Sequence, residues 1–517
     1  MPRRRTAPVE ALLVVPPPAS PDFPGLTAPL LVAAAAARDR ELKLLDLNIE
    51  LFRHSDDHAG LWDPGSAYRW DRGDSLADNP VLTEHHAAIE RHLSRALDAA
   101  RPLVGLTVNS SQVPVALDLA QRIKRLRPDA LIVLGGPECF PTGDPQGLAP
   151  KPAIDFVITG EGEAALPGLM DWIEAGSRGA LPAGVLRALP EGGVEGGAPA
   201  WAEDLDALPL PAWHAIERGA YREPARLPLM TSRGCPRRCV FCSERHLWPG
   251  YRQRGADPVF EEILDNAERY GATAITLCDS TFNADIGFLD ALCHRLVVAG
   301  APVRWAGQGV FRPEMHRARI RLLARAGCEL IDFGLESGSD AVLRSMRKGQ
   351  TVAVAGRVLA DCRGAGIATV VNVMVGFPGE TEADFERTLL FLRRHAKAID
   401  RVNPCSSFCG IEPGSDLHRE HAEFGVRFVK HHYFWETTDG ENTLAVRLAR
   451  FERLLTELQV LGLPSTYPGR QVLNRHQILG DFHANRGERA EAKRQYELHR
   501  EASAYTDGIS PSSHSRQ

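Results

Sequence analysis

Thr231-Ser-Arg-Gly-Cys-Pro-Arg-Arg-Cys-Val-Phe-Cys242 is the stretch from which the rest of the chain can be read. It follows a short apolar segment, 227–230, that reads as a buried strand ending in a glycine turn. Its three cysteines, Cys235, Cys239 and Cys242, stand in the spacing C-x3-C-x2-C. Three thiols on one loop cannot all pair as disulfides, because one is always left over. Soft thiolates select iron–sulfur clusters, and a cube held by three protein ligands keeps one iron open. The other readings are ordinary buried thiols or a zinc site; zinc wants a fourth protein ligand, and His246 is the only candidate within a few residues.

The same spacing, with the aromatic Phe241 just before the last cysteine, resembles the signature of the radical S-adenosylmethionine superfamily. That resemblance implies a [4Fe-4S] cluster on Cys235, Cys239 and Cys242. Its open iron would bind the amino and carboxylate groups of S-adenosylmethionine.

Composition sets the outer bounds. A chain of 517 residues has room for about three domains. Its 44% apolar and 24% charged residues are those of an ordinary globular protein. A net charge of −6 offers no basic field, which argues against nucleic acid as a partner. Ten cysteines are too sparse for a disulfide scaffold and suit reduced thiols in the cytoplasm. Arg3-Arg4-Arg5 and the apolar run after it imitate a signal peptide, but Pro16-Pro17-Pro18 breaks that run too early. No stretch approaches a membrane span, so a cytoplasmic chain without a membrane partner is expected.

Before the cysteines, apolar strands alternate with helices. Strands are expected at 9–15, 42–47, 103–108, 130–134 and 156–159, with helices at 29–38, 80–99, 113–126 and after 163. Alternation with glycine turns after the strands describes a doubly wound, Rossmann-like α/β domain, whose ligand site lies at the strand C-terminal ends. Those ends carry Thr107, Ser110, Gly135, Gly136, Glu138, Gly160, Glu161 and Gly162. The pattern resembles the cobalamin-binding domain that precedes many radical S-adenosylmethionine cores. In that family a Ser/Thr motif after the third strand and a Gly-Gly after the fourth line the slot for the nucleotide tail. The loop 16–27 after the first strand holds no histidine, and Asp57-His58-Ala-Gly60 follows the second strand, the wrong place for the D-x-H-x-x-G cobalt motif. No cobalt ligand from that motif is therefore expected.

The expected organisation is a cobalamin-binding domain at 1–177, a Pro/Gly-rich linker at 178–222, a radical S-adenosylmethionine core at 223–420 and a helical region at 421–517 with a disordered tail. In the core, strands are read at 227–230, 274–278, 303–306, 330–335, 369–375 and 402–408, each but the last followed by a loop and helix, giving a six-unit partial (βα) barrel. The resemblance places Glu336 and Ser337 on S-adenosylmethionine, and Gly376 and Glu380 in the motif packing on its adenine and ribose. Phe241 offers ring or backbone contact to adenine. Asp279, Asn283, Gln308 and Arg312 point from strand ends toward the expected cavity, either to contact S-adenosylmethionine or substrate or to make ordinary strand-end polar contacts, while His431 and Tyr433 are candidates to cap it. Cys405 and Cys409 read as buried free thiols. Helical stretches at 477–485 and 489–501 resemble one helical-hairpin repeat.

Cobalamin beside a radical-generating barrel implies methyl transfer onto an unactivated carbon of a small-molecule or peptide substrate, with electrons from a donor such as flavodoxin or ferredoxin. A cyclase or oxidase would use the same cofactors. A cobalamin or iron–sulfur sensor without turnover is the reading of a different class.

Overall fold

Fully apolar runs such as Ala11-Leu-Leu-Val14 and Leu131-Ile-Val-Leu134 form strands that are buried on both faces, as a parallel sheet between helices requires. The computed structural model describes residues 10–55, 61–62, 70, 79–97, 102–141, 143–190, 193–404, 409–429, 434–465 and short pieces between 490 and 498. Contacts divide the chain into two units. The first takes residues 1–236, 243–309 and 321–329, the second 237–242, 310–320 and 330–517.

In the first unit, strands β1 (Glu10–Val14), β2 (Leu42–Leu45), β3 (Pro102–Thr107), β4 (Leu131–Gly135) and β5 (Phe156–Ile158) pair in parallel in the order β2-β1-β3-β4-β5. Successive side chains alternate between two cores. Leu12, Val14, Leu106 and Leu134 pack with Val115, Leu119 and Ile123 of the helix Val113–Leu126. Leu13, Leu103, Val133 and Ile158 pack with the helices Thr27–Ala36 and Gly162–Glu174 on the other side. The strand order reverses between β1 and β3, and this switch point is where open α/β sheets leave a crevice.

Several local expectations are corrected. Residues 47–53, expected to begin with strand, form the helix Leu47–Arg53, because the Asp46 carboxylate accepts from Ile49 N at 3.1 Å and caps it. The helix expected over 80–99 divides at His85 into Pro80–Glu84 and His86–Ala96. Within 178–222, expected as linker, β6 (Val185–Ala188) and β7 (Val194–Gly196) form a hairpin that extends the sheet antiparallel from β5. Cys405, the residues 57–60, His431, Tyr433 and the helix expected at 477–485 lie outside the described residues, and 489–501 is described only in pieces.

The first unit continues with β8 (Arg226–Leu229), β9 (Ala274–Leu277) and β10 (Arg304–Gly309), paired in parallel as β8-β9-β10. In the second unit, β11 (Cys328–Glu336, of which 330–336 fall in this unit) pairs in parallel with β12 (Ala368–Val373), and β12 with β13 (Arg401–Asn403). Helices Val352–Ala365, Glu382–His395 and Leu444–Leu461 belong to the same unit.

Gly136 shows what the turn after β4 demands. Its φ is +131°, and a Cβ there would lie 2.3 Å from the Val108 carbonyl oxygen. Gly136→Ala should destabilise the first unit by about 1–3 kcal/mol, read from chemical denaturation followed by far-UV circular dichroism. An unchanged midpoint would show that this turn is not under the constraint described.

Candidate cofactor sites

A cavity of about 420 Å³ opens at the C-terminal ends of β1, β3, β4 and β5. Thr107, Gly135, Gly136, Gly160, Glu161 and Gly162 line it, together with Gly105. Glycine walls let backbone approach a flat, bulky ligand, so the residues present fit cobalamin. Glu138 stands in the turn Pro137–Cys139 and is not among the lining residues. Ser110 lies in the single turn Ser110–Gln112.

The Glu161 carboxylate is already engaged. Arg252 clasps it at 2.7 and 3.1 Å, Arg233 reaches it at 2.7 Å, and Ala202 N donates to it. Burial alone would raise its pKa, but Arg252 and Arg233 together hold it below the usual glutamate value. Arg233 also pairs with Glu163, so the residue two before Cys235 is tied to the end of β5 by buried charges. Trp248 lies under both guanidinium groups, at 5.7 and 5.9 Å, and packs edge-on against Phe140. None of these arginine links was expected from sequence.

Asp279, at the end of β9, is buried and accepts from Thr231 N at 3.1 Å, Thr231 Oγ1 at 2.9 Å and Ser232 Oγ at 2.6 Å. Asn283 is fully buried and accepts from Thr281 Oγ1 at 2.9 Å, whereas Gln308 is exposed. Asp279 therefore holds the entry to the cysteine loop, and Asn283 braces its own turn.

In the second unit, Cys239 is buried and Cys242 partly so, with Cys242 N donating to Cys239 O at 3.2 Å. Val240 N donates to Met346 O at 3.1 Å, and Leu417 N to Val240 O at 2.7 Å. Burial pushes the Cys239 thiol up, while Lys348 pulls the other way. Lys348, absent from the sequence expectations, donates to Glu336 Oε1 at 2.7 Å in a buried ion pair and lies 5.5 Å from the Phe241 ring centre. Burial would lower its pKa, yet Glu336 and the two cysteines hold it above the ordinary lysine value. Glu336 has φ +64°, a left-handed conformation that is strained for a residue with a side chain.

Ser337 is fully buried, with its hydroxyl accepting from Ser339 N at 3.1 Å and meeting Thr388 Oγ1 at 3.3 Å. Gly376 N donates to Glu380 Oε2 at 2.7 Å, closing the 376–380 turn upon itself. Arg312 pairs with Glu314 at 3.0 Å. Cys409 is buried, as expected. Among the described residues no three His, Cys, Asp or Glu side chains form a metal-holding group. The fit of Cys235, Cys239 and Cys242 to an iron–sulfur cluster thus rests on their spacing and thiol chemistry.

One polar row was also missed. Asn403 Nδ2 donates to Asn372 Oδ1 at 2.7 Å, and Asn372 Nδ2 to Asp332 Oδ1 at 2.6 Å, across β13, β12 and β11. Asp332 alternates with the buried Ile331 and Phe333, so it shares the strand face of Gly334 and Glu336. The signal was a polar residue set inside each apolar strand. Burial, aided by the Glu336 charge and opposed by Asn372, raises Asp332 to about 6. A raised carboxyl contributes stability below its ordinary pKa of 3.8 and loses it as pH rises through about 6. Asp332→Asn should remove that slope, worth at most roughly 3 kcal/mol. The difference in thermal midpoint between wild type and variant, followed from pH 4 to pH 7, checks it.

Residues 76–170 match the B12 binding domain family, and residues 229–392 match the Radical SAM superfamily. An uncharacterized methyltransferase of Pyrococcus horikoshii is 28% identical over 56% of this chain and 64% of its own length. The anaerobic magnesium-protoporphyrin IX monomethyl ester cyclase of Synechocystis is 24% identical over 56% of this chain and 58% of its own. The chain thus matches less than two thirds of either relative. The radical S-adenosylmethionine methyltransferase TsrM from Kitasatospora setae, solved with cobalamin and a [4Fe-4S] cluster bound, shares the fold at a TM-score of 0.65 and 18% identity, covering 95% of this chain and all of that one. No described helix is long and apolar enough to cross a membrane. The two matched domains mark cobalamin, a [4Fe-4S] cluster and S-adenosylmethionine as the cofactors: the chain carries a B12 binding domain at 76–170 and a Radical SAM domain at 229–392.

Proposed function

We propose that this chain is a C-methyltransferase acting on an unactivated carbon of a natural-product or peptide substrate. The observation that carries the reading is a glycine-walled cavity at the β1–β5 strand ends in the same chain as a C-x3-C-x2-C motif. The relative named a methyltransferase supports the same outcome. When bound, the cofactors supply a 5′-deoxyadenosyl radical and a transferable methyl group.

The chain's own residues position and shield. In this reading Cys235, Cys239 and Cys242 hold the cluster. Thr107, Ser110, Gly135, Gly136, Glu138, Gly160, Glu161 and Gly162 are the cobalamin-binding residues. Phe241, Glu336, Ser337, Gly376 and Glu380 shape the S-adenosylmethionine site, with Lys348 holding Glu336 through their buried ion pair. The domain division is 1–177, 178–222, 223–420 and 421–517, with the hairpin Val185–Gly196 an outgrowth of the first sheet. A low-potential donor such as flavodoxin or ferredoxin supplies the electron, in the cytoplasm.

The match to magnesium-protoporphyrin cyclases favours ring closure as the second reading. Product mass separates the two, since methylation adds a methyl group and cyclisation does not. After anaerobic reconstitution, wild type should form 5′-deoxyadenosine when reduced with S-adenosylmethionine. Failure to form it, with substrate candidates present, would support a sensor instead. Cys239→Ala should abolish that product while leaving cobalamin bound, as read from its visible absorption. Joint loss of cobalamin would argue against two separable cofactor sites.

A further inference from the structure

The helix Leu444–Leu461 lies beyond the matched segment, which ends at residue 392, yet its side chains converge on one loop of the second unit. That loop, 375–380, follows β12 and contains Gly376 and Glu380. Arg450 donates to the Glu380 carbonyl at 3.1 Å, to its carboxylate at 3.3 Å and to Glu382 at 3.1 Å. Asn442, just before the helix, donates to both the Gly376 and Phe377 carbonyls at 3.1 Å. Arg447 is fully buried, stacked 3.8 Å above Trp435 and bonded to the Trp435 carbonyl at 2.6 Å.

The Arg447 stem fills the space in front of Gly376, where a Cβ would lie 2.3 Å from its Cγ. Gly376 has φ +79°, so glycine is required there by both conformation and contact. The Val375 carbonyl is taken by Cys409 N at 2.8 Å, whose own carbonyl accepts from Trp435 Nε1 at 2.9 Å. A short turn next to a strand end would otherwise satisfy these groups with water and sample several conformations. Here Arg450, Asn442 and the Arg447 stem occupy those groups and the space in front of Gly376.

We propose that Asn442 and the helix Leu444–Leu461 form a built-in clamp that pre-sets the 375–380 loop for S-adenosylmethionine, with Asn442 and Arg450 as positioning residues. This rests on the reading of that loop as a wall of the S-adenosylmethionine site. Pre-setting the loop removes the ordering cost that binding would otherwise carry.

The test uses the full chain with reconstituted cluster and cobalamin, titrated with S-adenosylmethionine in the absence of reductant. Calorimetry gives Kd, and hydrogen exchange follows peptides covering 374–381. Ligand should slow exchange of that loop in wild type. Arg450→Met should speed exchange of the same loop without ligand and weaken Kd about tenfold. Iron content and cobalamin absorption should stay unchanged, and Arg450→Lys should recover most of the affinity. Wild-type Kd and loop exchange in Arg450→Met would overturn the clamp while leaving the loop reading intact. No ligand protection of 374–381 in wild type would overturn the loop reading and the clamp with it. Asn442→Ala carries the same expectations and decides the matter where Arg450→Met does not fold.

Discussion

Asp279 is wholly buried, and a carboxylate in that position survives only if its oxygens are answered by donors. The donors are Thr231 N, Thr231 Oγ1 and Ser232 Oγ, the residues that carry the chain from β8 toward Cys235. Burial raises the Asp279 pKa, with Ser232 and Thr231 working against that rise. The arrangement therefore ties the beginning of the cysteine loop to the end of a neighbouring parallel strand. Arg233, two residues before Cys235, adds a second anchor through its buried pairs with Glu161 and Glu163.

The same logic recurs with opposite charges. Arg233 is buried against Glu161 and Glu163, and Lys348 against Glu336. Buried pairs of this kind contribute little net stability compared with apolar packing, but losing one partner strands a charge and is strongly destabilising. Each pair ties a loop residue to a second segment of the chain through opposite charges held out of water. Glu336 makes the point most directly, because its left-handed backbone is tolerated only where Lys348 and the surrounding packing hold it.

Much of the architecture was legible. Apolar runs buried on both faces announce parallel strands, glycines after them announce turns that line the strand-end cavity, and three closely spaced cysteines announce cluster chemistry. What escaped reading was set by partners distant in sequence. Arg252 and Glu161 are 91 residues apart, and Arg450 and Glu380 are 70 apart. No periodicity encodes such pairings, since any exposed arginine looks the same until the fold brings a carboxylate to it. Two misses had local signals. Asp46 before Leu-Asn-Ile was an available helix cap, and Gly193 was a hairpin turn, its carbonyl accepting from Leu189 N at 3.1 Å. Reading glycine only as linker concealed the hairpin.

The C-terminal region shows why helical pattern and function separate. The region 421–517 was read only as helical, and the role of the helix Leu444–Leu461 within it depends on which loop its arginines reach. A glycine with positive φ can always adopt its native turn, and it can as readily adopt others. The Arg447 stem packs against Gly376, and the Asn442 amide takes the Gly376 and Phe377 carbonyls, so the space and the acceptors that other turn conformations would use are already occupied. The turn is held by groups it does not itself carry: the arginines and the asparagine that meet it belong to the helix Leu444–Leu461 and the residues just before it.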